Sequence, residues 1–235
     1  MARYHDKVKP TEQIDPPLVS DQPDCHPDLT AVVQRHLSSR WLKPIPAHTQ
    51  AAAEQLLDWL KERERPLVLD SFCGTGMSTA KLSAMYPDCA VVGVDKSAAR
   101  LGRHHHQGHH QRPRDYLLLR AECEPLWRAL VEAGITVRAH YLLYPNPWPK
   151  RGQLKRRIHG HPGLPWLLAL GGTIELRTNW AIYAREFAQA MSIAGASGEL
   201  STVTGSDPIT LFERKYHERG QTLWRWQGEA PLAQE

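Results

Sequence analysis

The sequence predicts an α/β fold, a mostly parallel sheet with helices on both faces. Two observations carry this expectation. From Pro66 onward, short apolar runs alternate with stretches of helical period, at the spacing of strand–helix–strand units. The first apolar run also ends in a turn holding two glycines, Gly74 and Gly76, and open α/β sheets bind nucleotide-like ligands at such a turn. At 235 residues, 41% of them hydrophobic, the chain is long enough to build one such domain without disulfides.

Residues 1–26 are rich in Pro, Asp and Gln and lack an apolar period, so a poorly ordered arm is expected there. Residues 27–235 then form one domain, led by two amphipathic helices. The first, over 27–38, lines up Leu29, Val32, Val33 and Leu37; the second, over 47–63, lines up Ala52, Leu56, Leu57 and Leu60. Strands are expected at 67–70, 90–95, 116–120, 138–144 and 173–178, with helices at 74–86, 124–133 and 180–194. Two further strand candidates, 199–204 and 221–227, suit an antiparallel edge.

No apolar run approaches membrane-spanning length, and no apolar stretch follows the charged N-terminus, so a soluble, cytoplasmic protein is expected. The cysteines (Cys25, Cys73, Cys89 and Cys123) form no C-x-x-C pair and read as free thiols in a reducing compartment. Five histidines lie within 104–110. Consecutive histidines point in divergent directions with no carboxylate or Cys suitably spaced beside them, so a solvated loop is expected rather than a metal site. The formal charge of +4 names no partner by itself, but Lys150, Arg151, Lys155, Arg156 and Arg157 crowd into one segment.

In the segment Leu67-Val68-Leu69-Asp70-Ser71-Phe72-Cys73-Gly74-Thr75-Gly76, a buried strand runs into a glycine turn and then a helix. Glycine lacks a Cβ and accepts positive φ, so a ligand can approach the backbone closely. A nicotinamide site would place a third glycine where Thr79 stands. An acid at the end of the first strand, Asp70, instead suits the amino-acid cation of S-adenosylmethionine. A second acid, Asp95, ends the next strand, where a carboxylate can hold ribose hydroxyls. The loop resembles the methyltransferase version, D/E-x-G-x-G-x-G, with Phe72 in place of its first glycine, and this resemblance implies a Rossmann-like, S-adenosylmethionine-dependent methyltransferase fold.

After the fourth strand comes Tyr144-Pro145-Asn146-Pro147-Trp148-Pro149-Lys150. Three prolines fix φ and remove backbone donors, giving a rigid loop outside the sheet's carboxyl end. Such a loop can hold a flat base by stacking and edge hydrogen bonds, although its Trp could instead pack in the core. The adjoining cations Lys150, Arg151, Lys155, Arg156 and Arg157 suit phosphate binding.

Together these motifs resemble the bacterial tRNA (guanine-N7)-methyltransferase family. Its P-D-P-W-P-K and R-H-x-K-R-R patterns are matched by Pro145-Asn146-Pro147-Trp148-Pro149-Lys150 and Lys155-Arg156-Arg157. Its T-D after the fifth strand is matched by Thr178-Asn179, and its T-x-F-E-x-K by Thr210-Leu211-Phe212-Glu213-Arg214-Lys215. The resemblance covers about residues 66–226. It implies cofactor contacts at Asp70, Gly74, Gly76, Asp95 and Glu122, and places the catalytic position on Asn146. Substrate contacts are implied at Lys150 and Asn179 and from Thr210 through Glu213. The implied substrate is tRNA, with no metal and no obligatory protein partner.

Both signature aspartates of the family are asparagines here, Asn146 and Asn179. An amide accepts one bond where a carboxylate accepts charge-assisted bonds from both N1–H and the amine of guanine. Two other readings therefore stay open. The loop resembles the [D/N]-P-P-[Y/F/W] loop of enzymes that methylate exocyclic amines, and the chain could be a non-catalytic descendant that binds tRNA or S-adenosylmethionine.

Overall fold

The computed structural model describes residues 18, 20–106, 116–205 and 207–231. Its elements run α1 (Leu29–Leu37), α2 (Ala47–Lys61), β1 (Leu67–Ser71), α3 (Met77–Met85), β2 (Ala90–Asp95) and α4 (Ala98–Leu101). They continue with β3 (Tyr116–Arg120), α5 (Cys123–Glu132), β4 (Val137–Leu143), α6 (Leu164–Ala169) and β5 (Thr173–Thr178). The chain closes through α7 (Ala181–Ile193), β6 (Ser197–Thr202), α8 (Leu211–Glu218) and β7 (Trp224–Glu229).

The seven strands form one sheet in the order β3-β2-β1-β4-β5-β7-β6. Strands β1 to β5 are mutually parallel, and β7 runs antiparallel to both β5 and β6. The chain builds outward from β1 to β3 and then returns to lay β4 beside β1. At that reversal β1 leads into α3 on one face and β4 leads on to α6 on the other, the arrangement at whose carboxyl edge open α/β sheets bind their ligands.

Side-chain alternation divides the core between the two faces. Leu67 and Leu69 of β1, Val92 and Val94 of β2, and Ile174 and Leu176 of β5 join the larger core with α1, α2, α5, α6 and α7. The alternate residues Val68, Val91, Ala139 and Tyr141 meet Leu82 of α3 and Ile209 on the other face. Both faces are thus covered, as the sequence predicts. Among the described residues, no helix is long and apolar enough to cross a membrane.

The structure departs from expectation in several places, among them helices α4 and α8, which are not among the helices expected from the sequence. Helix α3 starts at Met77 rather than Gly74, because Gly74 and Gly76 hold φ of 61° and 76° and cannot be helical. Helix α6 escapes the pattern because Leu164, Trp166, Leu167 and Leu168 are all buried, which erases the apolar–polar period. Residues 20–26 of the expected arm are docked on the domain, with Gln22 only 5% exposed. Finally, the expected solvated His loop begins with His104, which is 1% exposed; its later part, 107–110, lies outside the described residues.

Gly93 of β2 faces α3 so closely that an added Cβ would lie 2.1 Å from Thr79 Oγ1 and 2.8 Å from Leu118 Cδ2. Gly93→Ala is therefore expected to cost about 1–3 kcal/mol by overpacking. That corresponds to a midpoint lowered by roughly 2–12 °C in thermal unfolding. An unchanged midpoint would mean that α3 yields without cost.

Candidate active site

The carboxyl end of β1 carries the first half of the site. Asp70 is fully buried, and its Oδ2 accepts 2.7 Å bonds from both Ser78 Oγ and Thr79 Oγ1 of α3. Its other oxygen, Oδ1, has no hydrogen-bond partner. Burial pushes the Asp70 carboxyl up to about 6, against the pull of the Ser78 and Thr79 bonds, and the charge on Asp95 adds to the rise.

Three residues with positive φ shape the turn: Phe72 at 63°, Gly74 at 61° and Gly76 at 76°. Phe72 stands where the resembled motif has its first glycine, yet it adopts the left-handed conformation glycine would supply. Its ring meets Trp127 edge-on at 5.9 Å. The two glycines do different work. A Cβ on Gly74 would meet nothing within 4 Å, so the backbone there faces open space. A Cβ on Gly76 would lie 2.8 Å from Leu118 and 3.1 Å from His104, so Gly76 permits close packing.

Asp95, at the end of β2, ties this turn to its neighbour. Gly74 N–H donates to its Oδ2 at 3.0 Å and Ser97 N–H to its Oδ1 at 2.8 Å, while the Arg100 guanidinium stands 3.5 Å from Oδ2. His104 closes the turn from outside: its Nδ1 lies 2.8 Å from the Thr75 carbonyl and its Nε2 2.6 Å from the Tyr116 hydroxyl. A histidine in a polar run gives no local sign of that role. Behind the turn, Trp127 Nε1 donates to Ser71 Oγ at 2.9 Å, which in turn lies 2.8 Å from His140 Nε2. Burial holds His140 neutral, down at about 3.

The unpartnered Asp70 oxygen and the open space at Gly74 fit a ligand with a cationic end that approaches the backbone. Asp95, buried at the carboxyl end of β2, stands where a carboxylate can hold ribose hydroxyls. Glu122 precedes α5 at the end of β3, half-buried, with its N–H on Thr49 Oγ1 at 3.2 Å. Among the described residues, no group of His, Cys, Asp and Glu could hold a metal ion.

The second half of the site leaves β4. Tyr144 and Trp148 both hold positive φ, 53° and 45°, a strained setting of the kind that clusters at functional sites. Asn146 is exposed, and its Oδ1 accepts from Trp148 N–H at 3.4 Å. Lys150, Arg151, Lys155 and Arg156 are exposed beside it, and the Arg156 guanidinium lies over the Trp148 ring, 4.8 Å from its centroid.

Three expected substrate residues are turned inward instead. Arg157 is 1% exposed, paired with Glu186 of α7, and donates to the carbonyls of Trp148 at 3.1 Å and Lys150 at 3.3 Å. It cannot also bind phosphate at the surface. Thr210 caps α8, its Oγ1 accepting from Glu213 N–H at 2.9 Å. The Glu213 carboxylate is buried and takes the Arg177 guanidinium at 2.9 Å, alongside the Glu175–Arg177 pair. Of that motif, Leu211, Phe212, Arg214 and Lys215 reach the surface. Asn179 follows β5, and its amide donates to Gln221 at 2.8 Å.

A family model described as "Putative methyltransferase" matches residues 64–226. A protein of Photobacterium profundum named tRNA (guanine-N(7)-)-methyltransferase is 26% identical over 185 residues, covering 73% of this chain and 74% of its own. A protein of the same name from Treponema pallidum is 29% identical over 165 residues, 67% of this chain and 64% of its own length. The fold is shared with a solved 16S rRNA (adenine(1408)-N(1))-methyltransferase of Catenulisporales acidiphilia, at a TM-score of 0.54 and 16% identity over 78% of this chain and 93% of that one.

With its carboxyl at about 6, Asp70 is neutral below that pH and charged above it. A cationic ligand needs the charged form. Affinity for S-adenosylmethionine is therefore expected to fall about tenfold per pH unit below roughly pH 6 and to level off above it. Calorimetric titration across that range tests this. Flat affinity would remove Asp70 from the cofactor's ammonium group.

Proposed function

This chain belongs to the methyltransferase family matched over residues 64–226, and from that premise we propose that it methylates N7 of a guanine in tRNA, using S-adenosylmethionine. One juxtaposition carries the reading. The turn at Asp70, Gly74 and Asp95 and the rigid, cation-flanked loop at Asn146 leave neighbouring strands at one edge of the sheet. The names of the relatives supply the nucleoside and the RNA.

Bound S-adenosylmethionine supplies a methyl group on a sulfonium. The protein's task is then placement, since guanine N7 offers a lone pair and loses no proton on methylation. Asp70 holds the cofactor's ammonium group, Gly74 lets its backbone approach, and Asp95 and Glu122 hold its polar rim. Asn146 presents an amide to the guanine edge. Its Oδ1 accepts a single bond from guanine, weaker than the charge-assisted bonds of an aspartate. Lys150, Arg151, Lys155, Arg156 and Asn179 receive the RNA, the cations through its phosphates. Free thiols at Cys73, Cys89 and Cys123 fit a reducing compartment and support a cytoplasmic location.

The amide at Asn146 also suits acceptance from an exocyclic amine, so product analysis must separate the two. Unmodified bulk tRNA incubated with labelled S-adenosylmethionine is expected to yield 7-methylguanosine. Label in a methylated amine would move the target to an amine, and bound cofactor without label on any RNA would make the chain a binding protein. Lys150→Ala is expected to weaken tRNA binding several-fold, by the loss of about one phosphate contact, and to leave cofactor affinity unchanged. A parallel loss of cofactor affinity would place Lys150 in the wrong half of the site.

A further inference from the structure

The loop from Pro145 to Lys150 has lost three backbone N–H donors to proline, so little of its own backbone can hold it in place. What does hold it arrives from far along the chain. The Trp148 and Lys150 carbonyls are held by Arg157, from beneath. The Pro149 carbonyl accepts from Ser20 Oγ at 3.2 Å, and Arg151 N–H donates to Asp21 Oδ1 at 3.2 Å. Successive residues 148 to 151 are thus gripped in turn by the core and by residues 20–21, which lie about 130 positions earlier in the chain.

The next residue anchors that grip. Gln22 Oε1 accepts from both terminal nitrogens of Arg157 at 3.3 and 3.4 Å, and its Nε2 donates to Glu186 and to the Asp24 carbonyl. His26 N–H adds a 2.9 Å bond to Glu186. Gln22 is buried, whereas Ser20 is half-buried and Asp21 exposed. The division matters. Gln22 and Glu186 fix where the segment lies, while Asp21 reaches the loop and Ser20 Oγ both donates to the loop and accepts from Gln22 N–H at 3.1 Å.

We propose that residues 20–22 form a strap that positions the substrate loop, making the N-terminal segment part of the RNA-binding site. The proposal rests on the reading of that loop as the tRNA-facing surface. The strap sets the angle at which Asn146 and Lys150 are presented and leaves the cofactor turn at Asp70 and Gly74 untouched. Ser20 and Asp21 are positioning residues: they act through the backbone of Pro149 and Arg151.

The test uses the full chain carrying Ser20→Ala with Asp21→Ala, which keeps the side-chain bonds among Gln22, Arg157 and Glu186 and gives up, besides the two loop bonds, the bond from Gln22 N–H to Ser20 Oγ. Amide hydrogen exchange across residues 146–151 is expected to quicken about tenfold with two bonds lost, while exchange in β1 to β5 and S-adenosylmethionine affinity stay unchanged. The KM for tRNA should rise by a similar factor with kcat within about twofold, because the loop can still reach its geometry at an ordering cost. Ser20→Thr with Asp21→Asn keeps a hydroxyl and an acceptor and should restore both values. Unchanged loop exchange in the double alanine variant overturns the strap, even if no RNA is methylated, since that readout needs no turnover. Faster exchange with an unmoved KM overturns its part in RNA binding and leaves the methyltransferase reading intact.

Discussion

The carboxylate of Glu186 is the interaction on which the substrate half of this protein depends. It is fully buried on α7, and a bare carboxylate there would cost several kcal/mol. Donors from two separate parts of the chain meet it: Gln22 and the His26 N–H from one, Arg157 and His159 from the other. Burial alone would raise its pKa, but the bonds from His159, Gln22 and Arg157 outweigh that and hold it down at about 2. A charge buried this way stabilises the fold only while every partner stays in place. It therefore fixes the relative position of the N-terminal segment, the turns at 151–160 and α7 more sharply than apolar packing would.

The two halves of the site are built on opposite principles. The cofactor half is a backbone device, with Gly74 open, Gly76 packed tight and the Asp95 carboxylate tying the turn to β2. Asp70 Oδ1, buried there without a partner, is what a cationic ligand would complete. The proposed substrate half is a side-chain device on a proline-stiffened loop, held from beneath by Arg157 and cationic above. The first half suits a small ligand of fixed shape. The second suits a polyanion whose contacts are many and individually weak.

The sheet and the motif order were legible in the sequence because both arise from local chemistry. Strand alternation, the glycine turn and the proline loop each announce themselves within ten residues, and β2, β3 and β5 match their expected ranges residue for residue. What the sequence hid was set by distance. Arg157 closes a basic run and reads as a phosphate ligand, yet its partners Gln22 and Glu186 lie 135 and 29 positions away. The same holds for Glu213, whose burial depends on Arg177 of β5, and for His104, which belongs to a turn it follows by nearly thirty residues. Whether a charged side chain faces water or a partner is decided by elements that composition cannot bring together.

Phe72 shows how a signature residue can be lost without losing the shape it signified. A non-glycine residue at left-handed φ costs about 1–2 kcal/mol. Against that, glycine would give the unfolded chain more freedom to lose, roughly 0.5–1 kcal/mol, and would forgo the edge-on contact with Trp127, worth about as much again. The opposing amounts are of similar size, so folding exerts little pressure on which residue stands there. Drift through that position is then nearly free, and descendants of one ancestor can diverge at a letter while keeping one backbone trace. A pattern written in glycines would overlook such lineages, whereas one written in dihedral angles would gather them.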